Sequence, residues 1–283
     1  MRIFLTFIMV IYAGLAMAQT PFATFDRASE AVLNDPHDLA IGPDGRLYVA
    51  DKFGHRIVVM DPDTLDVLDT FAEGEVPGAH DISFGPRGKA YVAATGASAV
   101  VVYWFADGKA QADFALTYFP NTEGVLAHSN GRIYVMASGI GRLVAMEQGN
   151  AVNGVDGLQG AHDVAEAPDG TIWVADNNRA RLVQFSQELE VIRILDDPKY
   201  GFVGPRYMDI DDFGRLIVAD QDAHRVLMIE PLTGDLVGVI GDGFPGEGPN
   251  KFDDPEGVAV EGNRYYFSDS DNDRIVKYVV ITN

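Results

Sequence analysis

The chain has 283 residues, no cysteine, and 21 Lys+Arg against 42 Asp+Glu, a formal net charge of −21. Without thiols there can be no disulfide framework, thiolate zinc site or cysteine nucleophile. The acidic balance argues against nucleic acid as a partner, because that affinity comes mainly from neutralising phosphates. A hydrophobic share of 47% with Gly 30 and Pro 14 describes a globular chain with frequent turns rather than a long helical bundle.

At the N-terminus, Arg2 precedes an apolar run from Ile3 to Leu15, and Ala16-Met17-Ala18 forms a small-x-small signal before Gln19. The run is short of the roughly 20 residues that span a bilayer, and a polar, Pro-containing segment follows at once. We expect residues 1–18 to be a cleaved signal peptide rather than a retained anchor. The mature chain, 19–283, is then secreted or periplasmic, with no membrane association after cleavage.

Six repeats fill that chain. The first reads Pro36-His37-Asp38-Leu39-Ala40-Ile41, a turn at Gly42-Pro43-Asp44-Gly45, then Leu47-Tyr48-Val49-Ala50-Asp51 and Arg56-Ile57-Val58-Val59-Met60. With His37, His80, Glu123, His162, Arg206 and Glu256 as equivalent positions, the register returns after 43, 43, 39, 44 and 50 residues. Such periods, with short β-runs and turns, mark propeller blades. A turn glycine recurs at Gly45, Gly88, Gly131, Gly170 and Gly214, and a second-strand aromatic at Tyr48, Tyr91, Tyr134, Trp173 and Tyr266. Val67 to Phe71 reads as a fourth strand of the first blade. The last blade ends too early for a fourth strand of its own, so Phe22 to Asp26 is expected to supply it and latch the ring. The fold class is therefore all-β, one six-bladed β-propeller.

Three of the six histidines, His37, His80 and His162, fall on one slot at the start of the innermost strand, where the channel mouth should lie. With Glu256 on the same slot, imidazoles and a carboxylate from separate strands make a competent zinc ligand set. Asp38, Asp81 and Asp163 follow the histidines, suited to calcium deeper in the channel or to orienting the imidazoles. The structural alternative is that these His-Asp pairs tie blades together by hydrogen bonds. The Asp51–Arg56, Asp176–Arg181, Asp220–Arg225 and Asp269–Arg274 pairs, recurring in most blades, read as ties between strand ends. His55, His128 and His224 read as solvated. Asp271-Asn272-Asp273 has calcium-type ligands without the rest of a binding loop. The long connections through Asp196–Phe202 and Gly241–Gly248 should lie over the histidine face, where loops shape ligand sites.

The blade pattern of apolar strand, turn glycine, Tyr-Val-Ala-Asp and Arg-Ile/Val resembles the NHL repeat family of six-bladed propellers. Pro-His-Asp-Leu, Ala-His-Asp-Ile and Ala-His-Asp-Val are also similar to the metal-binding segments of peptidylglycine α-amidating lyase propellers. That resemblance implies zinc on three such histidines, calcium in the same channel, and cleavage of peptidyl-α-hydroxyglycine. His80 and His162 match two ligand positions; the third falls to His37 or Glu256. In an enzyme of this kind Tyr207 or Glu123 would accept a proton and Arg206 would anchor an anion. The competing function is a noncatalytic scaffold that binds a peptide, small molecule, carbohydrate or protein partner on the loop face.

Overall fold

The computed structural model describes residues 21–282; the expected leader, residues 1–18, lies outside them. Among the described residues no helix is long and apolar enough to cross a membrane. The described residues form six antiparallel four-stranded sheets. The innermost strand of each blade lies beside those of its neighbours, and that of blade one touches both blade two and blade six, so the ring is closed. It is a six-bladed β-propeller, as the repeat predicts. Blade one consists of Pro36–Ile41, Leu47–Asp51, Arg56–Met60 and Val67–Phe71. Blade six takes its outer strand from Phe22–Ala28, which pairs antiparallel with Arg274–Ile281 from Phe22 opposite Ile281 to Ala28 opposite Val276. The latch is two residues longer than the sequence pattern suggests, carried past a register shift between Phe25 and Arg27.

Position within a blade decides burial. Leu47–Asp51 is buried along its whole length because neighbouring blades cover both faces, whereas the outer Val67–Phe71 is largely exposed. Each pair of adjacent blades closes over its own apolar cluster. The recurring aromatic belongs to these clusters: Tyr48, Tyr134, Trp173 and Tyr266 are buried against the following blade, each contributing about 2–3 kcal/mol. The turn glycines all have positive φ, from 72° at Gly88 to 88° at Gly131, a conformation glycine adopts without strain.

The Asp–Arg pairs are clasps. Asp176 is fully buried; its Oδ1 accepts from Gln159 N at 2.6 Å in the connection between blades, and its Oδ2 accepts from Arg181 Nε at 2.7 Å. Asp51 does the same with Asn34 N and Arg56 Nε, both at 2.7 Å. Asp220 and Asp269 repeat it. Blade three has Ala137 instead, so Arg142 turns outward to the exposed Asp156.

Candidate metal centre at the channel mouth

The innermost strands do not begin as regular ladders. The register shifts at Pro36/Leu39, Ala79/Asp81, Thr122/Gly124, Pro205/Met208 and Pro255/Val258. A bulge releases consecutive side chains from strict alternation, so both the histidine slot and the position after it turn toward the axis. At that second position Asp38, Asp81, Asp163 and Tyr207 share the narrow waist with two glycines. A Cβ on Gly124 would run into the His162 carbonyl, and one on Gly257 into the His37 carbonyl.

The slot residues do meet at the mouth. The His37 and His80 rings lie 4.4 Å apart, and Tyr207 is 6.2 Å from both His37 and His162. Two histidines are held in the same way. His80 Nδ1 lies 3.0 Å from Gly78 O and 2.8 Å from Thr95 Oγ1. The Thr95 hydroxyl donates to Thr122 O, so it must accept from His80 Nδ1–H, and the lone pair sits on Nε2. Burial lowers the His80 pKa to about 3, keeping the ring neutral. His162 Nδ1 lies 2.7 Å from Gly160 O, and its Nε2 faces Glu123 Oε2 at 2.7 Å. Burial would raise the Glu123 pKa, but the close approach of His162 and nearby positive charge bring it down to about 2.

His37 is different. Residue 35, where the others have glycine two positions earlier, is Asp35. His37 is fully buried, with Nδ1 2.6 Å from Glu256 Oε2 and Nε2 3.4 Å from Asp35 Oδ2. Neither approach has hydrogen-bond geometry, so both ring nitrogens and Glu256 Oε2 are buried without a hydrogen-bond partner. Lys52 reaches Asp35 at 2.9 Å and Arg206 Nε lies 3.4 Å from Glu256. Burial would raise both carboxyl pKa values, but His37 and these cations hold Asp35 and Glu256 below the ordinary range. Among the described residues, Asp35, His37 and Glu256 are the one group of three ligand-type side chains whose donor atoms lie within 4.8 Å of one another. One imidazole and two carboxylates suit a borderline divalent ion such as zinc, and the orphaned atoms fit such an ion.

Tyr207 closes the floor of this mouth. It is fully buried, its hydroxyl donates to His80 O at 3.1 Å across the ring, and burial pushes its pKa well above the phenolic range. A phenol so committed has no lone role as proton acceptor. Beyond the waist, Asp38, Asp81, Asp163 and Asp209 line a cavity of about 270 Å³ toward the hairpin-turn face. Asp81 Oδ2 accepts from Val125 N and Asp163 Oδ2 from Met208 N, each at 2.6 Å and each in the next blade. Burial raises the pKa of all four carboxyls, that of Asp81 to about 7. They do not converge within the ligand distance of the Asp35 group.

Sequence reasoning missed Asp35 and Gln221. Gln221 Nε2 donates to Glu256 Oε1 at 2.8 Å and its Oε1 accepts from Arg206, fixing both. The signal for Asp35 was its place two residues before a slot histidine. His55 and His224 sit on loops, as expected, where each Nδ1 accepts from a backbone N–H, of Gly78 and Asp254. His128, expected to be solvated, is fully buried: it packs against blade four, where its Nε2 lies 3.1 Å from Gly170 O.

Solved structures resembling this fold have diverse activities. Virginiamycin B lyase from Staphylococcus aureus superposes with a TM-score of 0.65 at 12% identity, over 92% of this chain and 100% of that one. An auxiliary nutrient binding protein from Bacteroides thetaiotaomicron gives 0.74 at 13%, over 92% and 76%. PQQ-bound aldose sugar dehydrogenase from Streptomyces coelicolor gives 0.65 at 16%, over 93% and 100%. At such identity the likeness is one of fold alone. No curated protein matches the sequence. One family model does, over residues 24–199, more than half of the chain, and the protein therefore belongs to the family described as a domain of unknown function, DUF5074.

Proposed function

We propose that this protein is an exported propeller that binds a divalent cation, zinc by its donor set, in the mouth of its channel, and through it a small or peptide ligand bearing an oxygen donor. The observation that carries this reading is the fully buried His37, with both ring nitrogens and the facing Glu256 oxygen lacking hydrogen bonds. Groups so buried cost about 1–3 kcal/mol each when unsatisfied; an ion on one ring nitrogen and a carboxylate lowers that cost, leaving the other ring N–H to face the second carboxylate. Asp35 completes the set. His80, its ring 4.4 Å from that of His37 and its Nε2 lone pair free of the backbone anchor, is a further donor, whereas His162 Nε2 faces Glu123.

Binding is favoured over catalysis because the mouth has no ready base: the Tyr207 hydroxyl is committed and Glu123, with a pKa of about 2, is a weak acceptor. The second reading, a metal-dependent lyase akin to the amidating-lyase propellers within an NHL-like framework, rests on the His-Asp motifs and on the neutral His80 ring. Calcium on Asp38, Asp81 and Asp163 belongs to that reading.

The deciding experiment loads the mature protein with zinc, dialyses it, and measures metal per chain. Stoichiometric zinc in the parent, lost in His37→Ala and Glu256→Gln but kept in His55→Ala, supports the site. A parent that retains none refutes it, and a metal-free scaffold takes its place. Loss in His80→Ala and His162→Ala with retention in His37→Ala would move the site to the lyase-like set.

A further inference from the structure

On the opposite face of the ring, the interface between blades two and three departs from the repeat. Where blade three meets blade four, and blade six meets blade one, the second-strand aromatic is capped by the next blade: the Tyr134 hydroxyl donates to Gln187 O at 2.9 Å and the Tyr266 hydroxyl to Pro62 O at 3.0 Å. Both carbonyls lie in the turn between third and fourth strands, and the same turns insert Leu189 and Leu65 into the interface core. Blade three has no such turn. Arg142–Glu147 passes through Gln148-Gly149, with φ of 51° and 80°, straight into Asn150–Asp156. The two-residue hairpin carries no leucine plug, and the interface opens into a cleft of about 620 Å³.

A second departure coincides with the first. In blade one the Tyr48 hydroxyl donates to the turn residue Asp44 at 3.0 Å. The equivalent residues in blade two are Tyr91 and Arg87, so a cation replaces the carboxylate. Tyr91 is only partly buried in its cluster, and among the described residues its hydroxyl has neither the turn carbonyl nor an aspartate. Arg87 is exposed and, among the described residues, forms no ion pair; Lys89 beside it is already paired with Asp113 at 2.5 Å. The cleft thus presents a free guanidinium and a free phenol where blade one has a carboxylate bound to a phenol. Phe114, Leu116, Ile133 and Met146 supply apolar walls.

We propose that this cleft binds a small aromatic anion, a carboxylate or sulfonate on a flat ring system. The anionic head takes the place of the missing Asp side chain, between the Arg87 guanidinium and the Tyr91 hydroxyl, and the ring system fills the space of the missing leucine. The volume falls in the range of small-molecule sites, and Arg is the side chain best shaped to hold a carboxylate-like head. The site is independent of the channel mouth and of any metal there.

The test is a fluorescence titration of the mature protein with 8-anilinonaphthalene-1-sulfonate, with 1-naphthoate and the uncharged 1-naphthalenemethanol as competitors. We expect saturable binding, unchanged by EDTA, displaced by naphthoate and at least tenfold less well by the alcohol. Arg87→Asp rebuilds the arrangement of blade one and should abolish it; Arg87→Gln should weaken it by about tenfold. Replacing Gln148-Gly149 by the Ser186–Glu190 turn should plug the cleft and abolish binding. Thermal unfolding of each variant identifies any that fail to fold, and the Arg87→Gln comparison then carries the test. No saturable binding, or equal binding in folded Arg87→Asp or plugged protein, overturns the proposal.

Discussion

The carboxyl of Asp209 in the axial cavity makes stability depend on pH in a direction that can be computed. Burial raises its pKa to about 6, although two main-chain donors, Ile210 N at 2.7 Å and Val260 N at 2.8 Å, favour its charged form. An acid with a raised folded pKa binds its proton more tightly in the folded chain. Its contribution is therefore whole below the unfolded pKa near 4 and is lost as pH rises through about 6. A shift of this size is worth about 3 kcal/mol, and residual solvent contact brings the expectation to about 2 kcal/mol. Asp209→Asn removes the titration. The amide meets one of the two N–H donors with its own NH₂, a cost that is the same at every pH and cancels from the slope. Urea unfolding of parent and variant from pH 4 to 8 should show the variant gaining about 2 kcal/mol relative to the parent, centred near pH 5. Asp163 and Asp211 face the same carboxyl and are present in both chains. A difference that does not change with pH, or a parent that gains on the variant as pH rises, would refute the reasoning.

Deleting Phe22–Ala28 should lower the thermal midpoint sharply, because it uncovers the edge of Arg274–Ile281 and removes Phe25, whose ring stands edge-on to Tyr278 at 5.8 Å; an unchanged midpoint would rule out the latch. Asp176→Ala should cost about 3–5 kcal/mol in urea unfolding, since it strands the Arg181 charge and the Gln159 N–H. Asp156→Ala, which breaks only the exposed pair with Arg142, should cost less than about 1 kcal/mol, and equal losses would sink the distinction. Export should leave a mature N-terminus at Gln19, and mass spectrometry finding Met1 on the exported protein would contradict it.

The blades were legible because their determinants are local and repeated: a glycine where φ must be positive, an aromatic for the next interface, an aspartate and an arginine five residues apart. Slot membership was legible for the same reason, and His37, His80 and His162 do gather at the mouth. What a slot side chain bonds to was not, since that is set by the connection before it and by the neighbouring blade. His128 illustrates the failure. Beside a polar turn it reads as solvated, but a turn of one blade packs on the strands of the next, and the ring is buried against Gly170. Asp35 and Gln221 escaped notice because they lie in loops whose distance from the axis is a property of the closed ring.

The three slot histidines share one backbone device, and its exception bears on function. The residue two positions earlier has positive φ in each blade: Asp35 at 56°, Gly78 at 62°, Gly160 at 56°. In blades two and four glycine occupies this position at no strain, and its carbonyl fixes Nδ1 of the histidine. In blade one an aspartate accepts a left-handed conformation, costing about 1 kcal/mol, and its carboxylate is carried to His37 Nε2. Asn121 and Asp254, two residues before Glu123 and Glu256, take the same conformation, so the strain alone does not mark Asp35; what sets it apart is a carboxylate that reaches a slot histidine, as a ligand would. Asp35→Gly separates this from a structural role. Relief of strain, the greater freedom of glycine in the unfolded chain and loss of the partly exposed Lys52 pair nearly cancel. The backbone N–H keeps its bond to Asp273. Stability should stay within about 1 kcal/mol of the parent while retained zinc is lost. A variant that keeps its zinc, or one that unfolds far more easily, would show that Asp35 holds the blade rather than the ion.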